Sequence, residues 1–268
     1  MRHFCQELLK RDKVVECLMY MKGKRTRNIF DPKSKEPYKL SRSKLENFLR
    51  CQLCFYLDRR LGVDQPPGFP FTLNVAVDHL LKKEFDIHRV AKTAHPLMEK
   101  YGIDAVPFEH PDMEKWRDNF TGVQCHHKPS NFIFTGAVDD IWINSKNELH
   151  VVDYKATSKD GDVGIDAEWQ GGYKRQMEIY QWLLRQNGFK VSNTGYFVYV
   201  NGRKDLEAFD GKLEFYVDII PYSGSDEWVG IALTEARGCL ESNTPPPVSE
   251  NCDYCNYREA ANAVLKNL

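Results

Sequence analysis

The sequence predicts an α/β fold in which helices flank a central sheet, and three observations carry that reading. Two apolar runs, FIFTGAVDDIWI from Phe132 and ELHVVDYK from Glu148, are joined by Asn144-Ser145-Lys146-Asn147, a polar cluster with hairpin-turn chemistry. A long amphipathic segment, EWQGGYKRQMEIYQWLLRQNG, follows and ends at Gly188. Two further runs, TGYFVYVN and KLEFYVDII, are rich in the aromatic and β-branched residues that suit strands. The core order is therefore helix, strand, strand, helix, strand.

The elements follow in chain order. Residues 3–21 have apolar spacing compatible with a helix, and a polar, Pro-containing loop runs to Lys39. Ser41-Arg42-Ser43 precedes LENFLRCQLCFYLDRRLG, a helical pattern with Ser caps in front and Gly62 at its end. The turn segment DQPPGFPF leads into a second amphipathic helix, LNVAVDHLLKKEFDIHR. Residues 91–131 carry scattered Pro and Gly and show no period. After the hairpin, TSKDGDVGID is a polar loop into the long helix. A last helix spans about Asp226 to Leu240 and gives way to ESNTPPPVSEN and a short tail containing CDYC. This organisation predicts a basic N-terminal helix and loop over 1–40, one domain over 41–258 and a tail over 259–268.

At 268 residues the chain can bury a sizeable core, and 42% hydrophobic with 28% charged residues is ordinary globular composition. No apolar run is long enough for a membrane span, and MRHFCQELLKRDK is too short in its apolar part for a secretory signal. The expectation is a cytoplasmic protein with no membrane partner. The net charge of −1 hides an asymmetry: residues 1–50 hold 14 basic and 6 acidic residues, a balance of +8, against 23 and 32, or −9, in the remainder. Such a basic front suits contact with a phosphate backbone, and it equally suits a solvated helix followed by the loop KGKRTRN.

The chemistry concentrates between Phe132 and Lys155. With the turn centred near Lys146, antiparallel pairing sets Asp139 across from Asp153, and Cβ atoms in such pairs lie only ~4.5–5.5 Å apart. Two carboxylates at that distance in an apolar sheet call for a cation between them. Lys155, two residues beyond Asp153, projects from the same face. Oxygen ligands favour Mg2+ or Mn2+, and carboxylates beside a lysine suit hydrolysis of a phosphodiester. Taken alone, D-x-K also describes a solvent-facing ion pair, and the facing Asp139 weighs against that. Gln176 and Tyr180 are spaced i, i+4 on one face of the long helix.

Gly136-Ala-Val-Asp139, Asp153-Tyr-Lys155 and Gln176-Met-Glu-Ile-Tyr180 together resemble the PD-(D/E)XK nuclease superfamily, whose core is a central mixed sheet flanked by helices. The resemblance covers roughly residues 41–258 and is closest to the RecB-type branch, which includes CRISPR-associated and helicase-linked nucleases with iron–sulfur clusters. It implies that Asp139 and Asp153 are ligands of Mg2+ or Mn2+, that Lys155 is the catalytic lysine, and that Gln176 and Tyr180 line the cleft. Val138 stands where the superfamily name has proline, which is not a ligand. The branch carries a further ligand on an upstream helix. Asp78 takes that position in AVDHLLKKEFD, with His79 and Glu84 nearby, and a helix turns Asp78 and His79 about 100° apart. The implied activity is cleavage of DNA, with RNA as an open second substrate and protein partners in DNA processing; a nucleic-acid-binding protein of the same fold without useful catalysis is the alternative.

Cys51-x-x-Cys54 and Cys252-x-x-Cys255 supply four thiolates, a complete tetrahedral set that the fold must bring together over a long separation. In the iron–sulfur nucleases one cysteine precedes the core and three follow. Cys51, Cys252 and Cys255 match three of these, Ala261 stands near the fourth, and Cys54 takes its place. The resemblance implies a [4Fe–4S] cluster, with structural Zn2+ as the alternative, and disulfides are the least expected use in a reducing compartment. Cys5, Cys17 and Cys239 read as isolated thiols and Cys125-His126-His127 as surface residues. Lys159, Lys174 and Arg175 flank the cleft, where phosphate contact and a solvated face are equally good readings.

Overall fold

The structure is a computed structural model that describes residues 24–68 and 72–266. The helix expected over 3–21, with Cys5 and Cys17, lies outside the described residues.

The described residues form two compact units, one comprising residues 37–46 and 72–234, the other residues 24–36, 47–68 and 235–266. The strands of the larger unit are β1 (Tyr38–Ser41), β2 (Val106–Pro107), β3 (Val123–His127), β4 (Phe132–Gly136), β5 (Asp140–Ile143), β6 (Leu149–Thr157), β7 (Thr194–Gly202) and β8 (Phe215–Ser223). The helices of the described chain are α1 (Arg42–Arg50), α2 (Gln52–Leu61), α3 (Thr72–Ala91), α4 (Pro96–Lys100), α5 (Met113–Arg117), α6 (Gly171–Gln186), α7 (Trp228–Glu241) and α8 (Asp253–Leu265).

A five-stranded mixed sheet has the order β2-β5-β6-β7-β8. β5 and β6 form the expected antiparallel hairpin, with Asp140 opposite Val152 and Ile143 opposite Leu149. β6 and β7 run parallel, so the chain between them must cross over, and α6 is that crossover. β8 returns antiparallel along β7. A second sheet of three strands, β1-β4-β3, joins β1 in parallel to β4 and β3 antiparallel to it.

This second sheet corrects the reading of FIFTGAVDDIWI as one strand. The run breaks after Gly136, its first part belonging to the small sheet and its second to the large one. The break aims Asp139 away from regular pairing, just ahead of β5. Gly136 is required there: a Cβ would sit 2.7 Å from the Tyr180 ring of α6.

Alternation along β6 divides the larger unit. Val152 and Tyr154 join Leu81, Phe85, Trp142 and Val198 in one core cluster, where the Phe85 ring stacks on Trp142 at 5.4 Å. Asp153 and Lys155 take the opposite face, where α6 lies.

The smaller unit corrects a second expectation. LENFLRCQLCFYLDRRLG is two helices, because Cys51 is extended (φ −159°, ψ 106°) and caps α2. Gly62 closes α2 in the left-handed conformation (φ 78°), with its N–H bonded to Asp58 and Leu57 carbonyls. Asp58 is buried between Arg59 and Arg25, which ties the segment near residue 25 to α2. The residues assigned to a tail from 259 continue α8 to Leu265.

Candidate active site and cysteine centre

β6 carries the site. Asp153 is fully buried on the middle of the strand, and its Oδ1 accepts a hydrogen bond from the Gln176 amide at 2.7 Å. Its Oδ2 is in ion-pair contact with Lys155 Nζ. Gln176 is shared three ways: the same Nε2 donates to Tyr180 Oη at 3.1 Å, and Oε1 accepts from Lys155 Nζ at 3.4 Å. The i, i+4 spacing of Gln176 and Tyr180 thus delivers both to one point on β6.

Asp139 lies one step beyond the Asp140–Val152 pair, in the register that would set it opposite Asp153. Its Oδ2 accepts the Tyr154 backbone N–H at 2.9 Å, and Oδ1 meets Lys82 Nζ at 3.4 Å. Lys82 also pairs with Asp78 Oδ2 at 2.8 Å, so one ammonium bridges Asp78 and Asp139. Asp78, Asp139, Lys155 and Tyr173 line a cavity of about 450 Å³. Of the upstream alternatives, His79 is exposed, and Glu84 accepts from His95 at 2.9 Å.

The electrostatics follow from burial. Removal from water pushes the Asp153 carboxyl up to about 6 against the pull of Lys155, and the Asp139 charge adds to the rise. Burial opposes the charge of Lys155, but the Asp153 and Asp139 carboxylates outweigh it and hold the ammonium above its ordinary value. Asp78 is raised by burial and by Asp139. Neighbouring Asp140 has a different task. It is wholly buried, takes Arg89 and Arg117 on Oδ1 and the Tyr154 hydroxyl on Oδ2, and Arg117 also donates to the Asp139 carbonyl.

In the smaller unit, by itself, the four thiols of Cys51, Cys54, Cys252 and Cys255 are buried and within 4.8 Å of one another. Among the described residues they are the one set of three or more such ligands that close; the carboxylates of Asp78, Asp139 and Asp153 do not.

The family model of the PD-(D/E)XK nuclease superfamily matches residues 77–260, more than half of the chain; the matched range holds Asp78, Asp139, Asp153, Lys155, Gln176 and Tyr180 and leaves out Cys51 and Cys54. The chain belongs to the PD-(D/E)XK nuclease superfamily. No curated protein matches this superfamily member. Among solved structures, one titled "Crystal structure of SSO0001" is similar to it at 16% identity, covering 91% of this chain and 88% of that one, with a TM-score of 0.33.

Three residues beside this candidate site in the superfamily member escaped the sequence reading. Lys82 had a signal, since it lies four residues after Asp78 on one helix face. Tyr173, whose ring faces Lys155 Nζ at 4.4 Å, lies three residues before Gln176. Arg42, over the Tyr180 ring at 6.0 Å, had none, because only the tertiary fold brings it there. The flanking cations are mostly engaged: Lys174 pairs with Asp166, and Arg175 grips both oxygens of Glu46. Lys159 lines a larger cavity of about 630 Å³ together with Lys100, Arg203 and Lys204, and the same cavity is lined by Asp160, Asp162, Asp205 and Asp218. Cys125 and Cys239 are free and half-buried, while His126 and His127 bond to Asn131 and Ser130. Among the described residues no helix is long and apolar enough to cross a membrane.

Proposed function

We propose that the protein is a Mg2+- or Mn2+-dependent deoxyribonuclease of the RecB-type branch, acting in the cytoplasm with partners in DNA processing. The observation that carries this reading is the arrangement on β6, where a buried carboxylate takes Lys155 and Gln176 while Asp139 stands one register step away. The donor set suits a hard cation, because the oxygens of Asp78, Asp139 and Asp153 come from carboxylates. Asp139 and Asp153, with Asp78 as the third ligand, would hold the ion, which when bound polarises the phosphoryl group and lowers the pKa of a water.

The remaining work falls to side chains. Lys155 keeps its charge despite burial, so it can hold the attacking water and offset the charge that builds on the phosphoryl oxygens. Gln176 fixes Asp153 and Lys155 relative to each other, and Tyr180 anchors Gln176. Lys155→Ala removes the ammonium and leaves the strand intact. We expect cleavage of DNA in Mg2+ or Mn2+ to fall by about 10²–10³-fold or more, with far-UV circular dichroism and DNA binding retained. Undiminished Mn2+-dependent cleavage would overturn the assignment.

The second reading, a nucleic-acid-binding protein without useful catalysis, draws on Lys82, which occupies the space between Asp78 and Asp139. Binding without cleavage across single-stranded, duplex and branched DNA and RNA, in either metal, would favour it.

A further inference from the structure

We propose that the four-cysteine centre holds a single tetrahedral zinc ion and not the four-iron cluster that resemblance to the iron–sulfur nucleases implies. The sulfur separations distinguish the two. Cys51 Sγ lies 3.8 Å from Cys255 Sγ, Cys54 Sγ lies 3.6 Å from Cys252 Sγ and 3.6 Å from Cys255 Sγ, and all four atoms are within 4.8 Å of one another. Four sulfurs at the Zn–S distance of about 2.3 Å from one centre form a tetrahedron with edges of about 3.8 Å. These thiols therefore already outline the coordination shell of one ion.

A cubane needs something else. Each of its four thiolates binds its own iron, so the sulfurs stand apart by an iron–iron spacing on top of the span between two ligands of one ion. Sulfurs no more than 4.8 Å apart leave no interior for it. Here the thiols and Leu53 form one packed cluster, with Leu57 and Val248 against it. A cleft of about 200 Å³ does touch Cys54 and Cys255, but Cys51 and Cys252 do not line it, so it lies beside the four thiols and not among them.

The backbone supports the same assignment. Cys51 caps α2 and Cys252 caps α8, both in extended conformation, so each C-x-x-C pair occupies the first turn of a helix. Two helix N-termini then face four thiolates, where free N–H groups favour the negative charge that zinc leaves uncompensated. Between single ions, zinc is favoured over ferrous iron by the general affinity order of divalent metals. The site is closed by four protein ligands, which makes it a structural site with no open position.

The test uses the full wild-type chain, so it does not depend on a variant that folds. The protein is produced in iron-supplemented cells, purified without oxygen, and analysed for zinc, iron and acid-labile sulfide. One zinc per chain, no sulfide and no visible absorption are expected, with X-ray absorption at the zinc edge showing four sulfurs. Zinc displacing a cluster during expression is checked by treating metal-stripped protein with ferrous iron and sulfide under reducing conditions, where no cluster is expected to form. A stoichiometric iron–sulfide cluster from either preparation overturns the proposal, and so does a single bound iron. Neither readout involves nuclease activity, so this assignment and the proposed function stand or fall separately.

Discussion

At the scale of single residues the site is defined by carboxylates that share too few cations. Asp153 is the extreme case, and its pKa of about 6 has a consequence for stability. Because the folded value lies above the unfolded one of 3.8, the folded state binds the proton more tightly. The stabilisation is complete below the unfolded value and is lost as pH rises through about 6. Ionising Asp153 at neutral pH thus costs on the order of 3 kcal/mol. Without added Mg2+ or Mn2+, thermal unfolding should show wild-type protein losing more stability between pH 5 and 7.5 than Asp153→Asn does. Identical pH profiles would refute the shift. Lys82 makes a second prediction. Its ammonium bridges Asp78 and Asp139, so a divalent ion bound there competes with it. Lys82→Met should tighten Mn2+ binding, followed by calorimetry or electron paramagnetic resonance, by about five-fold, in line with ~1 kcal/mol for half-exposed pairs. Weaker binding would show instead that Lys82 supports the site.

At the scale of elements, legibility followed periodicity. The β5–β6 hairpin could be read because its turn residues locate its centre, and that centre determines the register near Asp139 and Asp153. α6, β7 and β8 have long runs of one period. The small sheet was not legible. β1 is four residues long and pairs with β4 from far away in sequence, and β3 contains Gln124, His126 and His127, which carry no strand pattern. The break after Gly136 was hidden for a related reason: both halves of FIFTGAVDDIWI are strands, and nothing local says that they belong to different sheets. The break at Cys51 was hidden by favourable helix formers on both sides of it. There the demand comes from the cysteine centre, which needs Cys51 extended so that its thiol and that of Cys54 point to one place. Arg42 and Arg117 were illegible because their partners, Tyr180 and Asp140, are chosen by the tertiary fold.

At the scale of the whole molecule, the two proposed metal sites differ in what they ask of the chain. The carboxylate site belongs to the larger unit, where the sheet, Gln176 and the lysines already satisfy most of its charges without an ion. The cysteine centre belongs to the smaller unit, where it joins segments nearly 200 residues apart in sequence, Cys51 being 204 residues from Cys255. Closing so long a loop is costly in chain entropy, and the smaller unit has a thin apolar cluster of cysteines and Leu53 around this junction to meet it. Metal binding there is folding free energy, since the unfolded chain has no preformed site. Removing the ion at neutral pH with a strong thiol-competent chelator should therefore unfold the smaller unit first. Hydrogen exchange would read this directly: amides of α2 and α8 should lose protection while those of β6 and β7 keep it, and restoring zinc should restore α2 and α8. Uniform loss of protection across β6, β7, α2 and α8 would mean that the cysteine centre stabilises the chain as one cooperative body, and no loss in α2 and α8 would mean that it does not hold the smaller unit at all.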